Sequence, residues 1–158
     1  MTEYYFFWKH RLSQWHMVNF QLNGITYCCC EQAMMHQKAL LFKDYDSTVR
    51  IMAVWNPAEH QRLGRHIKNF DQKIWDANKE RIVYEVSKAR YTQSAACREL
   101  LLSTGDALLV ESSPYDCVWG IGLGKDDPKA LDEKQWRGQN LLGKILTQVR
   151  EEIKAQNG

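Results

Sequence analysis

The chain has 158 residues, 44% hydrophobic and 25% charged, with nine glycines and three prolines, a composition that excludes disordered and fibrous classes. Its 21 Lys and Arg against 19 Asp and Glu leave a formal charge of +2, without the basic stripe of a dedicated DNA-binding domain. No apolar run approaches the ~20 residues of a membrane span, and the start MTEYYFFWKHRL reverses the charge order of a signal peptide, so a cytoplasmic protein with no membrane partner is expected.

In chain order, the first pattern is Val18-Asn-Phe-Gln-Leu22, Asn23-Gly24 and Ile25-Thr-Tyr-Cys28. Apolar and polar residues alternate there about a dipeptide suited to a type I′ turn, which predicts a β-hairpin. From Glu31 the period becomes helical through Met34, Met35, Lys38, Leu41 and Phe42, predicting a helix of about three to four turns up to Lys43. Asn56-Pro57-Ala58-Glu59 sets an N-cap residue, a first-turn proline and a capping-box acid before a short helix that ends at Gly64. Asp71 caps another start, and Ile74 to Arg90 carries Ile74, Trp75, Ile82, Val86 and Ala89 with Lys and Glu between them, an amphipathic helix.

Ser94 to Thr104 reads as a further helix stopped by Gly105. Ala107 to Glu111 is a short apolar run expected to be a buried strand, Lys125 to Gly138 a polar surface loop, and Leu142, Ile145, Leu146, Val149 and Ile153 one face of a final helix. With no repeat, low-complexity tract or linker, one domain over residues 1–158 is expected.

The five cysteines, Cys28, Cys29, Cys30, Cys97 and Cys117, are odd in number and contain no CxxC pair. They are read as buried reduced thiols, with neither a disulfide framework nor a metal site. Gly120-Ile-Gly-Leu-Gly124 lacks the pattern of a P-loop or dinucleotide turn, and is read as a segment where backbone passes close to backbone near Trp119. His10, His16, His36, His60 and His66 show no ligand pairing, and no nucleophile elbow marks a Ser/His/Asp triad. Six tryptophans offer either a base-stacking platform or core filling. Glu31 and Lys38 leave the same helix face about 10.5 Å apart in rise, so both can reach one ligand lying along the helix; spacing alone equally describes a solvated pair.

Cys30-Glu-Gln-Ala-Met-Met-His-Gln-Lys-Ala-Leu-Leu-Phe-Lys-Asp44 resembles the NADAR, or YbiA-like, family. So, in order, do Leu12-Ser-Gln-Trp15, Leu63-Gly-Arg65 with Phe70, Trp75 with Lys79, Leu101-Leu-Ser-Thr-Gly105, Ser113-Pro-Tyr-Asp-Cys-Val-Trp-Gly-Ile-Gly122 and Trp136-Arg-Gly-Gln-Asn-Leu-Leu-Gly143. The resemblance covers the chain from about Phe7 to Arg150. It implies a mainly helical α+β fold, a compact single domain with an N-terminal β-hairpin and short strands. It also implies hydrolysis of N-glycosidic bonds without a cofactor. Two substrate classes go with it, ADP-ribose on guanine in DNA, RNA or nucleotide, and ribosylaminopyrimidine phosphates of riboflavin biosynthesis; a non-catalytic ADP-ribose-binding module is the competing class. A guanine ADP-ribosyltransferase is the implied functional partner.

Both substrates are glycosylamines whose exocyclic nitrogen keeps a hydrogen, so the sugar can open to an imine that a lysine attacks, expelling the base and leaving a Schiff base for water to release. By the resemblance Glu31 supplies acid/base work and Lys38 the amine. In the competing scheme Glu31 activates water and Lys38 stays charged. Trp75, Trp119 and Trp15 are implied base or ribose contacts, Asp116 a partner for sugar hydroxyls, Arg65 for a phosphate, and Asn140 either a ligand contact or a helix cap. Two positions depart from the family pattern. Gln32 stands where His is common and cannot titrate, and Cys30 stands where Ala or Ser is common.

Overall fold

The structure, a computed structural model, describes residues 2–157. In chain order the elements are β1 (Tyr4–Phe7), β2 (Phe20–Leu22), β3 (Ile25–Tyr27), α1 (Cys30–Leu41), α2 (Tyr45–Met52), α3 (Pro57–Gly64), α4 (Gln72–Gln93), α5 (Ala95–Ser103), β4 (Leu108–Glu111) and α6 (Leu141–Asn157). This is the expected mainly helical α+β class with short strands. Contacts divide the chain into two units: Gln14–Ser94 form one, and the segments before and after that stretch form the other. No helix among the described residues is long and apolar enough to cross a membrane.

In the Gln14–Ser94 unit, β2 and β3 pair antiparallel with Phe20 opposite Tyr27 and Leu22 opposite Ile25. Asn23 and Gly24 have φ of 53° and 78°, the two left-handed residues that a type I′ turn demands. The hairpin feeds α1, which packs against α2, α3 and α4. Every residue of α1 from Cys30 to Met35 is buried, along with His36 and Ala39, so this helix is covered around most of its first turns. Three helices begin at the capping residues their sequences offer. Asp44 Oδ1 accepts from Ser47 N, Asn56 Oδ1 from Ala58 N, and Asp71 Oδ1 from Lys73 N and Ile74 N. The expected capping box at Glu59 does not form, because its carboxylate instead takes Arg62 in an ion pair at 2.7 Å. α2 was not predicted. Its inner residues are Ser47, Thr48 and Ile51, while Tyr45 and Val49 face out.

Gly64 closes α3 against α1. A Cβ at this position would overlap the Met35 sulfur, so the glycine lets α3 lie close enough for its last carbonyl to serve an α1 side chain.

In the other unit, β1 pairs parallel with β4, Tyr4 opposite Leu108 and Phe7 opposite Glu111. α6 packs on β4 through a face that includes Leu142, Ile145, Leu146 and Val149, as the heptad-like spacing predicts. Val110, Ile121, Leu123 and Ala130 form a core that Tyr4, Phe6, Leu108 and Trp136 cover. The segment expected to be a loop, 125–138, holds two 3-10 turns, Pro128–Leu131 and Glu133–Gln135, capped by Asp127 and Asp132. The glycine-rich run does what close backbone passage requires: a Cβ on Gly120 would come within 2.8 Å of the Glu111 carbonyl oxygen and 3.0 Å of that of Asp116.

Candidate active site

Glu31 and Lys38 lie on α1, seven residues apart and therefore on one face. Glu31 is 4% exposed and is held at the first turn, where its N–H donates to the Gln14 carbonyl at 3.0 Å. Lys38 is half-buried near the C-terminal end of the helix, and its Nζ donates to the Gly64 carbonyl at 2.9 Å. Two rings flank that nitrogen, Phe70 with its centroid at 4.8 Å and Trp75 at 5.2 Å. Burial lowers the Lys38 pKa below the usual lysine value; the Glu31 carboxylate opposes this and the Arg65 guanidinium adds to it. Glu31 and Arg65 thus both lie within electrostatic reach of the Lys38 nitrogen.

Of the residues singled out from sequence, Glu31, Lys38, Arg65 and Trp75 come together in the Gln14–Ser94 unit. Trp75 is 8% exposed at the start of α4, one turn before Lys79, a nearly buried lysine bonded to Asp76 at 2.8 Å. Trp15 belongs to the same unit and is largely exposed. Two residues at this cluster, Phe70 and Gly64, and the buried Lys79 one turn beyond Trp75, escaped the sequence reading as site residues. Phe70 and Gly64 act on Lys38 from a loop and from a helix end, where no periodicity marks them, and Lys79 reads as one more charge on an amphipathic helix. The sequence signal for all three was their place in the family blocks.

Asp116, Trp119 and Asn140 belong to the other unit. Asp116 Oδ1 accepts from the N–H groups of Val118 and Trp119 at 2.9 and 2.8 Å, which builds the turn that carries the Trp119 ring. Asn140 is fully buried with φ of 54°. Its Oδ1 accepts from Glu111 N and its Nδ2 donates to Leu109 O, both at 3.0 Å, so its side chain is a latch between β4 and the start of α6. The Asn140 amide thus has a structural partner at each end.

Gln32, the departure beside Glu31, is likewise structural. Its Oε1 accepts from Cys28 N at 2.8 Å, and its Nε2 donates to the carbonyls of Ile51 and Val54, tying the end of the hairpin to the end of α2. Cys30 Sγ receives Arg90 Nη1 at 3.9 Å. The cysteines depart from expectation at one position: Cys117 is exposed, whereas the other four are buried.

Among the described residues, one group gathers potential metal ligands, the buried Cys28, Cys29 and His60, with ligand atoms within 4.8 Å of one another. Their protons form a closed neutral chain. The His60 Nε2–H donates to Val54 O at 2.7 Å, which leaves Nδ1 to face the Cys29 thiol at 3.6 Å, and Cys28 Sγ lies 4.0 Å from Cys29 Sγ. Burial drives the Cys29 thiol far above its ordinary pKa, which keeps it protonated in this role. A second neutral chain runs from Gln37 Nε2 to the Tyr27 hydroxyl at 3.0 Å and from that hydroxyl to His36 Nδ1 at 2.7 Å. His36 also borders a shallow apolar depression of about 420 Å³ with Thr48, Val49, Met52 and Ala53, which holds none of the predicted site residues.

The NADAR domain profile matches residues 6–154, nearly the whole chain. The chain belongs to the NADAR family. It is 42% identical to N-glycosidase R617 of Acanthamoeba polyphaga mimivirus over 148 residues, 90% of this chain and 87% of that protein. It is 38% identical to N-glycosidase Npun_R5314 of Nostoc punctiforme over 141 residues, covering 86% and 83% of the two chains. The solution structure of Escherichia coli YbiA superposes on this NADAR chain with a TM-score of 0.80 and 26% identity, over 99% of this chain and 89% of the other.

Proposed function

We propose that this NADAR protein is an N-glycosidase that hydrolyses the bond between ADP-ribose and the exocyclic nitrogen of guanine. The observation that carries the reading is a half-buried lysine whose nitrogen is enclosed by two aromatic rings and electrostatically coupled to a buried glutamate on its own helix face. A site built for simple recognition has little need of an amine with lowered basicity beside a shielded carboxylate. That relatives over most of the chain's length are named N-glycosidases supports hydrolysis of an N-glycosyl compound.

In the proposed reaction Glu31 protonates the ribose ring oxygen, the C1–O bond opens, and the exocyclic nitrogen becomes an iminium at C1. The neutral Lys38 amine adds to C1, the C1–N bond to the base breaks with a proton returned to the leaving amine, and a lysine imine remains. Water adds to that imine, and hydrolysis releases ADP-ribose with its sugar as the open aldehyde and restores Lys38. Arg65 favours the neutral amine, and the family resemblance gives it the phosphate of the same ligand as a partner. Asp116 and Trp119 enter the proposal through the family resemblance alone.

The same rings also favour an ammonium over their faces, and the Gly64 carbonyl accepts its proton, which supports the competing scheme where Lys38 stays charged and Glu31 activates water. The experiment is chromatography of the products from ADP-ribosylated guanosine, run beside a ribosylaminopyrimidine phosphate. Release of ADP-ribose is expected from the first, with a loss of about a hundredfold or more in Glu31→Gln and Lys38→Ala. Unchanged turnover in both variants, or turnover of the pyrimidine alone, overturns the assignment. Borohydride added during turnover leaves a sugar on Lys38 in the imine scheme and no adduct in the other.

A further inference from the structure

Gln14 stands at the entrance to α1. Its backbone carbonyl takes the Glu31 N–H, one of the amides at a helix start that no carbonyl of the helix can serve, so Gln14 is fixed to the turn that carries the carboxylate. Its side chain is 7% exposed. The Nε2 end points at the Met34 sulfur at 3.9 Å, and the Oε1 end is enclosed with no hydrogen-bond partner. Buried acceptors in folded proteins are rarely left in this state, because the group has given up water and received nothing in return.

The position of that oxygen gives it a use. Met34 is three residues after Glu31 and four before Lys38, on the same face of α1. The Gln14 amide therefore meets α1 at a residue that lies, along the helix, between the carboxylate and the amine. A ligand with C1 against the Lys38 nitrogen spans this stretch with its sugar ring, and a carbonyl oxygen there accepts from a hydroxyl but has nothing to offer a phosphate.

We infer that Gln14 Oε1 is a substrate-contacting acceptor for a ribose hydroxyl, and that it orients the sugar along α1. The inference rests on the proposed reading of Glu31 and Lys38 and adds a specificity contact to it. It also accounts for an acceptor that stays unsatisfied in the free protein: its partner arrives with the ligand.

The test is Gln14→Met, which keeps the length of the side chain and removes the amide. Three quantities are read: the melting temperature of the free protein, kcat/KM on ADP-ribosylated guanosine, and the thermal stabilisation given by ADP-ribose, which carries the ribose but no guanine. The free variant is expected to melt no lower than wild type and up to about 2–4 °C higher, since an orphaned acceptor has gone. Its kcat/KM is expected to fall by about tenfold or more, and its stabilisation by ADP-ribose to shrink. Turnover within about threefold of wild type overturns the inference, as does a melting temperature that falls along with activity, the mark of a structural residue. Reduced turnover with full stabilisation by ADP-ribose also overturns it, because the donor is then on the base. Should wild type release no sugar, the proposed reaction fails and the ADP-ribose arm alone decides Gln14: stabilisation present in wild type and weakened in Gln14→Met upholds the contact, and any other result removes it.

Discussion

Lys38 is pulled in two directions. Burial beneath Phe70 and Trp75 and the nearby Arg65 charge disfavour its proton, while Glu31, the Gly64 carbonyl and the ring faces retain it. The balance leaves its pKa below the ordinary 10.5. Arg65→Gln removes the nearby positive charge and leaves burial and the Glu31 carboxylate in place, so the Lys38 pKa is expected to rise. If the neutral amine attacks, the pH–rate profile climbs with pH toward the Lys38 pKa, and Arg65→Gln moves that climb to higher pH and lowers the rate at neutral pH. If the ammonium is the working form, activity instead falls on the alkaline side, and Arg65→Gln moves that fall to higher pH. A profile unmoved by the substitution disproves the coupling. The chemistry of this pair was only half legible in the chain. The spacing of Glu31 and Lys38 shows a shared face, but what separates a catalytic pair from a solvated one is enclosure, and that comes from α3, from the Phe70 loop and from α4.

Elements that announce themselves by local chemistry were legible. Asn23-Gly24 needs no partner to form its turn, Asn56 and Asp71 bond amides two or three residues on, and Gly105 ends α5 at φ of 69°. Elements defined by distant partners were not. β1 is a strand because it pairs with β4, and nothing within Tyr4–Phe7 alternates to say so. α2 presents Ser47 and Thr48 inward with Ile51 and leaves Val49 70% exposed, so its apolar pattern points away from its buried side. Asn140 shows the same limit: a residue expected to cap a helix or touch ligand turns out to clasp a strand through both ends of its amide. Asn140→Ala strands a part-buried N–H and a buried carbonyl and leaves at φ of 54° a residue without the side chain that tolerates it. A loss of about 2–4 kcal/mol is expected in denaturant unfolding, with Asn140→Gly recovering the conformational part only. A loss below about 0.5 kcal/mol contradicts the latch.

At the scale of the molecule, buried histidines set the response to acid. Burial lowers the pKa of His36, and burial also lowers that of His60 against partial opposition from its bond to Val54 O and from Glu59. Both fall below the ordinary 6.5, so on acidification the unfolded chain takes up protons before the folded one does. Their contribution to stability is complete above about pH 6.5 and is lost as pH falls toward their folded values. Asp44 adds a second loss at lower pH. Burial works to raise its carboxyl, but bonds from Ser47 and Lys68 prevail and hold it below 3.8, so its contribution is present above that value and fades beneath it. Melting temperatures at pH 7.5, 6.5 and 5.5 are expected to fall in that order, and a flat series contradicts the neutral histidine chains.

The parallel pairing of β1 with β4 also governs the order in which the protein can be finished as it is made. Tyr4–Phe7 have no strand to join until Leu108–Glu111 are synthesised, roughly a hundred residues later. The intervening stretch, Gln14–Ser94, carries its own hairpin and helix partners and can settle while the first strand waits. Throughout that interval the edge groups of an apolar, aromatic tetrapeptide wait for the strand that pairs with them.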